Sequence, residues 1–112
     1  MISAKLSKVK VPQLLIIVDA LNNYQLYLKE LIEKVETSDE TKMCFSICKE
    51  LQQQVQKKAT KEFPSINNTI KLPFYKLTII INAFLHYQTQ LKNDSYEKAV
   101  LTRFTNTLMP QL

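Results

Sequence analysis

Two stretches of the chain, 63 positions apart, carry nearly the same side chains, and this pairing constrains the fold more than any other feature. Setting Leu77 against Leu14 and reading fifteen positions gives seven identities: Leu14/Leu77, Ile16/Ile79, Ile17/Ile80, Ala20/Ala83, Tyr24/Tyr87, Gln25/Gln88 and Leu28/Leu91. Asp19 falls opposite Asn82, and Val18 opposite Ile81. Upstream, Val9-Lys10-Val11-Pro12 matches Ile70-Lys71-Leu72-Pro73, with two extra residues in the second copy. Downstream, Thr37-Ser38-Asp39-Glu40 and Asp94-Ser95-Tyr96-Glu97 both read as capping boxes, in which a side-chain oxygen accepts from an orphan helix N–H while the Glu reaches back. Met43/Val100, Cys44/Leu101, Ile47/Phe104 and Leu51/Leu108 then keep step. The implied unit is an extended lead, a proline, a long helix, a turn and a second helix, spanning about 8–63 and again 69–112. The alternative is two unrelated amphipathic hairpins of similar Leu- and Ile-rich composition.

Each lead alternates apolar and polar residues: Ile2, Ala4, Leu6 and then Val9, Val11 in the first, Ile70 and Leu72 in the second. Period-two alternation marks an extended, half-buried segment, and the proline that follows biases its predecessor away from helix. If the two hairpins are related by a pseudo-twofold axis, the leads can pair as an antiparallel ribbon; otherwise they are two extended linkers.

Pro12 suits the first turn of a helix, where its missing N–H goes unmissed. The first helix is expected from there to about 35, with a seam of Leu14, Ile17, Leu21, Tyr24, Leu28, Leu31 and Val35 at 3–4 spacing. Thr37 to Asp39 turns the chain. A second helix over about 39–62 presents Cys44, Ile47, Cys48, Leu51 and Val55, becomes polar beyond Val55, and stops at Pro64 with Phe63 tucked back. The third, from Pro73 or Phe74 to about 92, uses Leu77, Ile80, Phe84, Tyr87 and Leu91; Ile79, Ile81 and Ala83 widen it, so it is expected to be buried on more than one side. The fourth, about 95–109, presents Tyr96, Val100, Phe104 and Leu108, and Pro110 ends it.

Composition narrows function. No residue of the 112 is glycine, so Gly-rich phosphate loops and dinucleotide fingerprints are excluded. Net charge is +5, and residues 57–112 hold all of the excess; fourteen of the fifteen basic residues are Lys and Arg103 is the one Arg. Cys44 and Cys48 lie four apart on one helix face, which is no disulfide framework and points to a reducing compartment. They are expected to act as small buried apolar residues; a zinc site would need ligands from a second subunit. The apolar runs at 14–18 and 77–81 fall short of the ~20 residues of a membrane span. His86, the only histidine, has no nucleophile or oxyanion donor near it in sequence and is expected at the surface or half-buried. Asp19 and Asn82 are expected to face water, and Tyr24 and Tyr87 to sit at the core edge. No cofactor motif is present, and no enzymatic activity is expected.

The expected class is all-α: one domain over 1–112, a four-helix bundle of two tandem hairpins related by a pseudo-twofold, with the leads before Pro12 and Pro73 as a candidate ribbon. The expected role is protein–protein interaction in the cytoplasm, as an adaptor, regulator or homodimer. The surface for it is the apolar surplus outside the seams: Leu15, Ile16, Leu26, Phe74 and Tyr75. A second reading is lysine-driven nucleic-acid binding by the second half, through Lys57, Lys58, Lys61, Lys71 and Lys76 clustered on one face, with aromatics that can stack on bases. In size, basic charge and helical hairpin content alone, the chain also resembles toxin- and bacteriocin-immunity proteins.

Overall fold

A computed structural model describes residues 3–34, 39–61 and 66–112. In chain order the elements are β1 (Ala4–Val9), α1 (Val11–Lys34), α2 (Asp39–Ala59), β2 (Asn68–Leu72), α3 (Phe74–Gln88) and α4 (Tyr96–Leu108), closed by a 3-10 turn (Met109–Gln111). The molecule is mostly helical, and the two leads do pair. Ala4 lies opposite Leu72, Lys5 opposite Lys71, Leu6 opposite Ile70 and Val9 opposite Asn68, in an antiparallel ladder. The alternation decides which face is buried: Ala4, Leu6, Val9, Asn68, Ile70 and Leu72 point inward, and the residues between them point out. Asn68 is the polar exception on the inner face, and its Nδ2 donates to the Val9 carbonyl at 3.0 Å.

β1 holds one residue more than the register allows, so the ladder is irregular between Leu6 and Val9. Lys8 takes up the bulge with φ 57°, a left-handed conformation uncommon outside glycine. This corrects the alignment of the two leads. The first helical bonds of α1, from the N–H groups of Gln13 and Leu14, converge on the Lys10 carbonyl, and those of α3, from Lys76 and Leu77, on the Pro73 carbonyl. Lys10 is therefore the counterpart of Pro73. The offset of 63 continues through the helix starts, and the length difference is the single bulge residue in β1.

α1 begins at Val11, with Pro12 in its first turn. Gln13 Oε1 accepts from the Lys10 N–H at 3.0 Å, the reach-back half of a capping box. α4 is capped by Ser95, whose hydroxyl accepts from the Lys98 N–H at 3.2 Å. The cap expected at Asp94 is thus one residue out of step, and Glu97 acts only through its charge in the first turn. α3 ends at Gln88, earlier than the spacing predicts. Thr89 Oγ1 donates to the His86 carbonyl at 2.7 Å, and the next two N–H groups bond only three residues back, which tightens and closes the helix. α2 ends at Ala59, where the Thr60 hydroxyl takes the Gln56 carbonyl. Val35, the Thr37 cap and the stop at Phe63 and Pro64 lie outside the described residues.

α1 packs on α2 and α3, and α3 packs on α4 and α2. The core is built from Leu14, Ile17 and Leu21 of α1, Cys48, Leu51 and Val55 of α2, Leu77, Ile80 and Phe84 of α3, and Leu101, Phe104 and Leu108 of α4, roofed by Leu6, Ile70 and Leu72 of the ribbon. Burying one such aliphatic or aromatic side chain contributes about 1.5–3 kcal/mol. Ile79, Ile81 and Ala83 are also buried, so α3 is covered on more than one side. Tyr96, expected on the core face of α4, is exposed instead: α4 starts at Tyr96 itself, a turn before its apolar stripe reaches the core at Val100. At the offset of 63 the burial of thirteen successive positions agrees, from Gln13/Lys76 to Gln25/Gln88. No described helix is long and apolar enough to cross a membrane.

Candidate nucleic-acid interface

The outer face of the ribbon carries Lys5, Lys8 and Lys71, with Ser7 and Thr69 between them and Lys10 at the link to α1. Neither strand holds an acidic residue. Lys5 and Lys71 are direct cross-strand partners, and both are exposed. Like charges placed directly opposite destabilise a ladder, so the ribbon holds a repulsion that an anion on its outer face would relieve.

The helices extend this field. α1 and α3 both start at the ribbon, and neither has an acid in its first turn, where carboxylates usually offset the positive end of the helix dipole. α2 and α4, which start at the far end, do carry such acids: Asp39 and Glu40, and Glu97. Both then run back toward the ribbon. Glu50 and Gln54 of α2 meet Lys76 in the first turn of α3. Gln111, just past α4, brackets the free edge of β1, accepting from the Lys5 N–H at 2.9 Å and donating to the Lys5 carbonyl at 3.1 Å. The ribbon is therefore a patch of lysines without acids, whereas at the opposite end the acids Glu30, Glu33, Asp39, Glu40, Asp94 and Glu97 are interspersed with Lys29, Lys34, Lys42, Lys92 and Lys98.

Of the five lysines expected as one patch, Lys76 drops out. Lys71 stands on the ribbon, and Lys57, Lys58 and Lys61 follow at and beyond the end of α2. Lys76 is only 8% exposed, and its ammonium is 2.9 Å from a Glu50 carboxylate oxygen and 5.8 Å from the Tyr75 ring centroid. It is neutralised inside the protein and cannot serve an external anion. Lys5 and Lys8 share the outer face of the ribbon with Lys71, and Lys10 follows at its link to α1; the charge balance by halves gives no sign of them, because they lie in the half with no net charge. Their signal was present in the alternation of the first lead, which puts its lysines on one face.

One of the apolar candidates also leaves the surface. Ile16 is 7% exposed and belongs to the core, because α2, α3 and α4 all pack on α1. Leu15 and Leu26 share the solvent face of α1 about three turns apart, with exposed Asp19 and Asn22 between them. Leu26 borders a groove of ≈ 480 Å³ between α1 and α2, where it meets Phe45. Phe74 and Tyr75 are exposed at the start of α3, with the Lys76 ammonium 5.8 Å from the Tyr75 ring centroid.

His86 is half-buried where α1 meets α3. Its Nδ1 lies 3.2 Å from Asn23 Oδ1, and Asn23 and Gln90 exchange amide hydrogen bonds at 2.9 and 3.1 Å. The imidazole stacks at 4.4 Å on Tyr27. Among the described residues its side-chain partners are the Asn23 and Gln90 amides and the Tyr24 and Tyr27 rings, which join α1 to α3. Cys48 is buried, and its Sγ donates to the Leu21 carbonyl at 3.4 Å. Burial, and secondarily the neighbouring Cys44, push its thiol up to about 12, so it is protonated and inert at neutral pH. Burial also raises the Tyr24 and Tyr87 hydroxyls, as expected of tyrosines at the core edge. Compared with family models, with characterised proteins and with solved structures, the chain matches none.

Proposed function

We propose that the chain is a duplicated strand–helix–helix unit, folded as a four-helix bundle about a pseudo-twofold axis, and that its ribbon binds duplex DNA. Three observations support the duplication. The burial pattern of α1 recurs in α3 position by position. Matching Ala4 with Asn68, Leu6 with Ile70 and Val9 with Leu72, with the one extra residue falling between Leu6 and Val9, interchanges the Ala4–Leu72 and Asn68–Val9 pairs and returns the Leu6–Ile70 pair to itself. Asn23 and His86, 63 apart, hydrogen-bond to each other, which is compatible with counterparts that lie close to the axis.

The single observation that carries the function is the outward Lys5–Lys71 pair on an acid-free ribbon. A two-stranded ribbon fits the major groove of B-form DNA, and ribbon readers use it in that way. A pseudo-twofold ribbon also matches the local dyad of a duplex. The A-form groove of RNA is too deep and narrow for it. This is a binding protein on this reading, not an enzyme. The test is binding of a mixed-sequence 20-base-pair duplex at about 50 mM salt, where lysine-driven contacts are strong. Micromolar binding that is lost in Lys5→Glu/Lys71→Glu is the expected result. No duplex binding by the unaltered protein, or full binding by the double variant, overturns it.

A second reading has one observation in its favour. The groove at Leu26 and Phe45, rimmed by Lys29 and Lys49, is the place for a protein partner in the adaptor role. Pull-down affinity that falls in Leu26→Asp but not in Lys71→Glu would favour it.

A further inference from the structure

Beside the β1 edge of the ribbon lies a cavity of ≈ 290 Å³ whose polar lining is Ser7, Lys8, Lys10, Gln13, Arg103 and Thr107. We infer that it seats one backbone phosphate of the bound duplex, so that DNA is anchored at one end of the ribbon only; the inference rests on the ribbon reading above. Three cations and three neutral hydrogen-bonding side chains converge there, and no carboxylate is among the described residues that line it. Arg103 is the only arginine of the chain. Its guanidinium carbon is 5.3 Å from the Phe104 ring centroid, which steadies a planar fork suited to two oxygens of one phosphate. Lys8 reaches the same cavity from the bulge, in a left-handed conformation that costs a non-glycine residue free energy and persists only where the surrounding structure holds it.

The corresponding place beside β2 is built differently. The counterparts of Lys10 and Gln13 are Pro73 and Lys76, and those of Arg103 and Thr107, by the offset that pairs Phe104 with Ile47, are Ser46 and Glu50. There the cation is already paired, with Lys76 and Glu50 in contact at 2.9 Å. The bulge, the arginine and the absence of acid all belong to one side of the pseudo-twofold, so the anchor is single.

The experiment compares the full chain with Arg103→Gln, Arg103→Lys and Lys5→Gln/Lys71→Gln. It measures duplex affinity at about 50 to 200 mM salt, where counterion release sets the slope, and amide and Arg103 side-chain NMR shifts on adding inorganic phosphate. Arg103 is exposed, so neither substitution threatens folding. The inference expects Arg103→Gln to lose affinity on the order of tenfold and to lower the log–log salt slope by about one. It expects Arg103→Lys to recover the slope but not the full affinity, and phosphate shifts confined to Ser7, Lys8, Lys10 and Arg103. If Arg103→Gln binds as well as the unaltered chain while Lys5→Gln/Lys71→Gln does not, the anchor is wrong and the ribbon reading stands. Local phosphate shifts without any duplex binding would overturn both, leaving a site for a free phosphoryl group.

Discussion

At the scale of single residues, two side chains give opposite signals about stability and use. Lys71 is placed where it costs stability, directly across from Lys5. Lys71→Glu turns a repulsive cross-strand pair into an attractive one, so thermal unfolding should rise by the equivalent of about 0.2–1 kcal/mol while duplex binding falls. A drop in both would mean that Lys71 serves the fold and not a ligand. Cys48 carries the reverse lesson, a reactive group made inert by its surroundings. Its folded pKa is raised to about 12, above the value near 8.5 of a free thiol, so the unfolded chain ionises first as pH rises. The neutral thiol's contribution is complete below pH ~8.5 and is lost as pH climbs toward 12, with Tyr24 shifted in the same direction. Urea midpoints taken from pH 7 to 11 should fall along this limb, and Cys48→Ala should flatten it.

At the scale of elements, the starts and stops of the helices separate what is local from what is not. The Gln13 reach-back and the Ser95 cap are local bonds within one turn, and the sequence marks both helix starts. The cap register at α4 is open to a direct check. Ser95→Ala should cost about 1 kcal/mol in denaturant unfolding, and Asp94→Ala, which removes no cap bond, should cost a few tenths at most; the opposite ranking would restore Asp94 as the cap. Non-local contacts explain where the two halves part. Gln88 bonds the Thr105 and Thr102 hydroxyls of α4. Its counterpart Gln25 faces α2, where the matching positions are Cys48 and Phe45, and its Nε2 is buried with no partner among the described residues. Identical residues at matched positions in α1 and α3 thus take on different roles, because the helices they face, α2 and α4, differ at the positions they meet.

At the scale of the whole molecule, charge is organised by connectivity. The ribbon gathers lysines with no acid on either strand, so a duplex should be attracted to that face. With Lys5, Lys8, Lys10 and Lys71 on or next to the ribbon and Arg103 beside it, the proposed complex would neutralise about four to five phosphates, and the plot of log affinity against log salt should have a slope of about −4. A slope near zero would assign the lysines to solubility.

The sequence by itself determined the elements and their count. A 3–4 spacing repeated at an offset of 63 marks two helical hairpins, period-two leads ending at prolines mark extended segments, and the absence of glycine removes whole classes of phosphate site. These signals are local, each set by the chain's own geometry over a turn or a strand. The tertiary structure alone decided which residues share a surface. Ile16 and Lys76 pass from expected surface to core because α1 and α3 are covered from two sides, and Lys76 finds Glu50 across 26 positions. Lys5 meets Lys71 only when the ribbon closes, and Arg103 meets Lys8 and Lys10 only when α4 packs beside β1. A binding face is a juxtaposition of residues far apart in the chain, and the energy that creates it is core burial, to which the exposed residues contribute nothing that a local pattern could record.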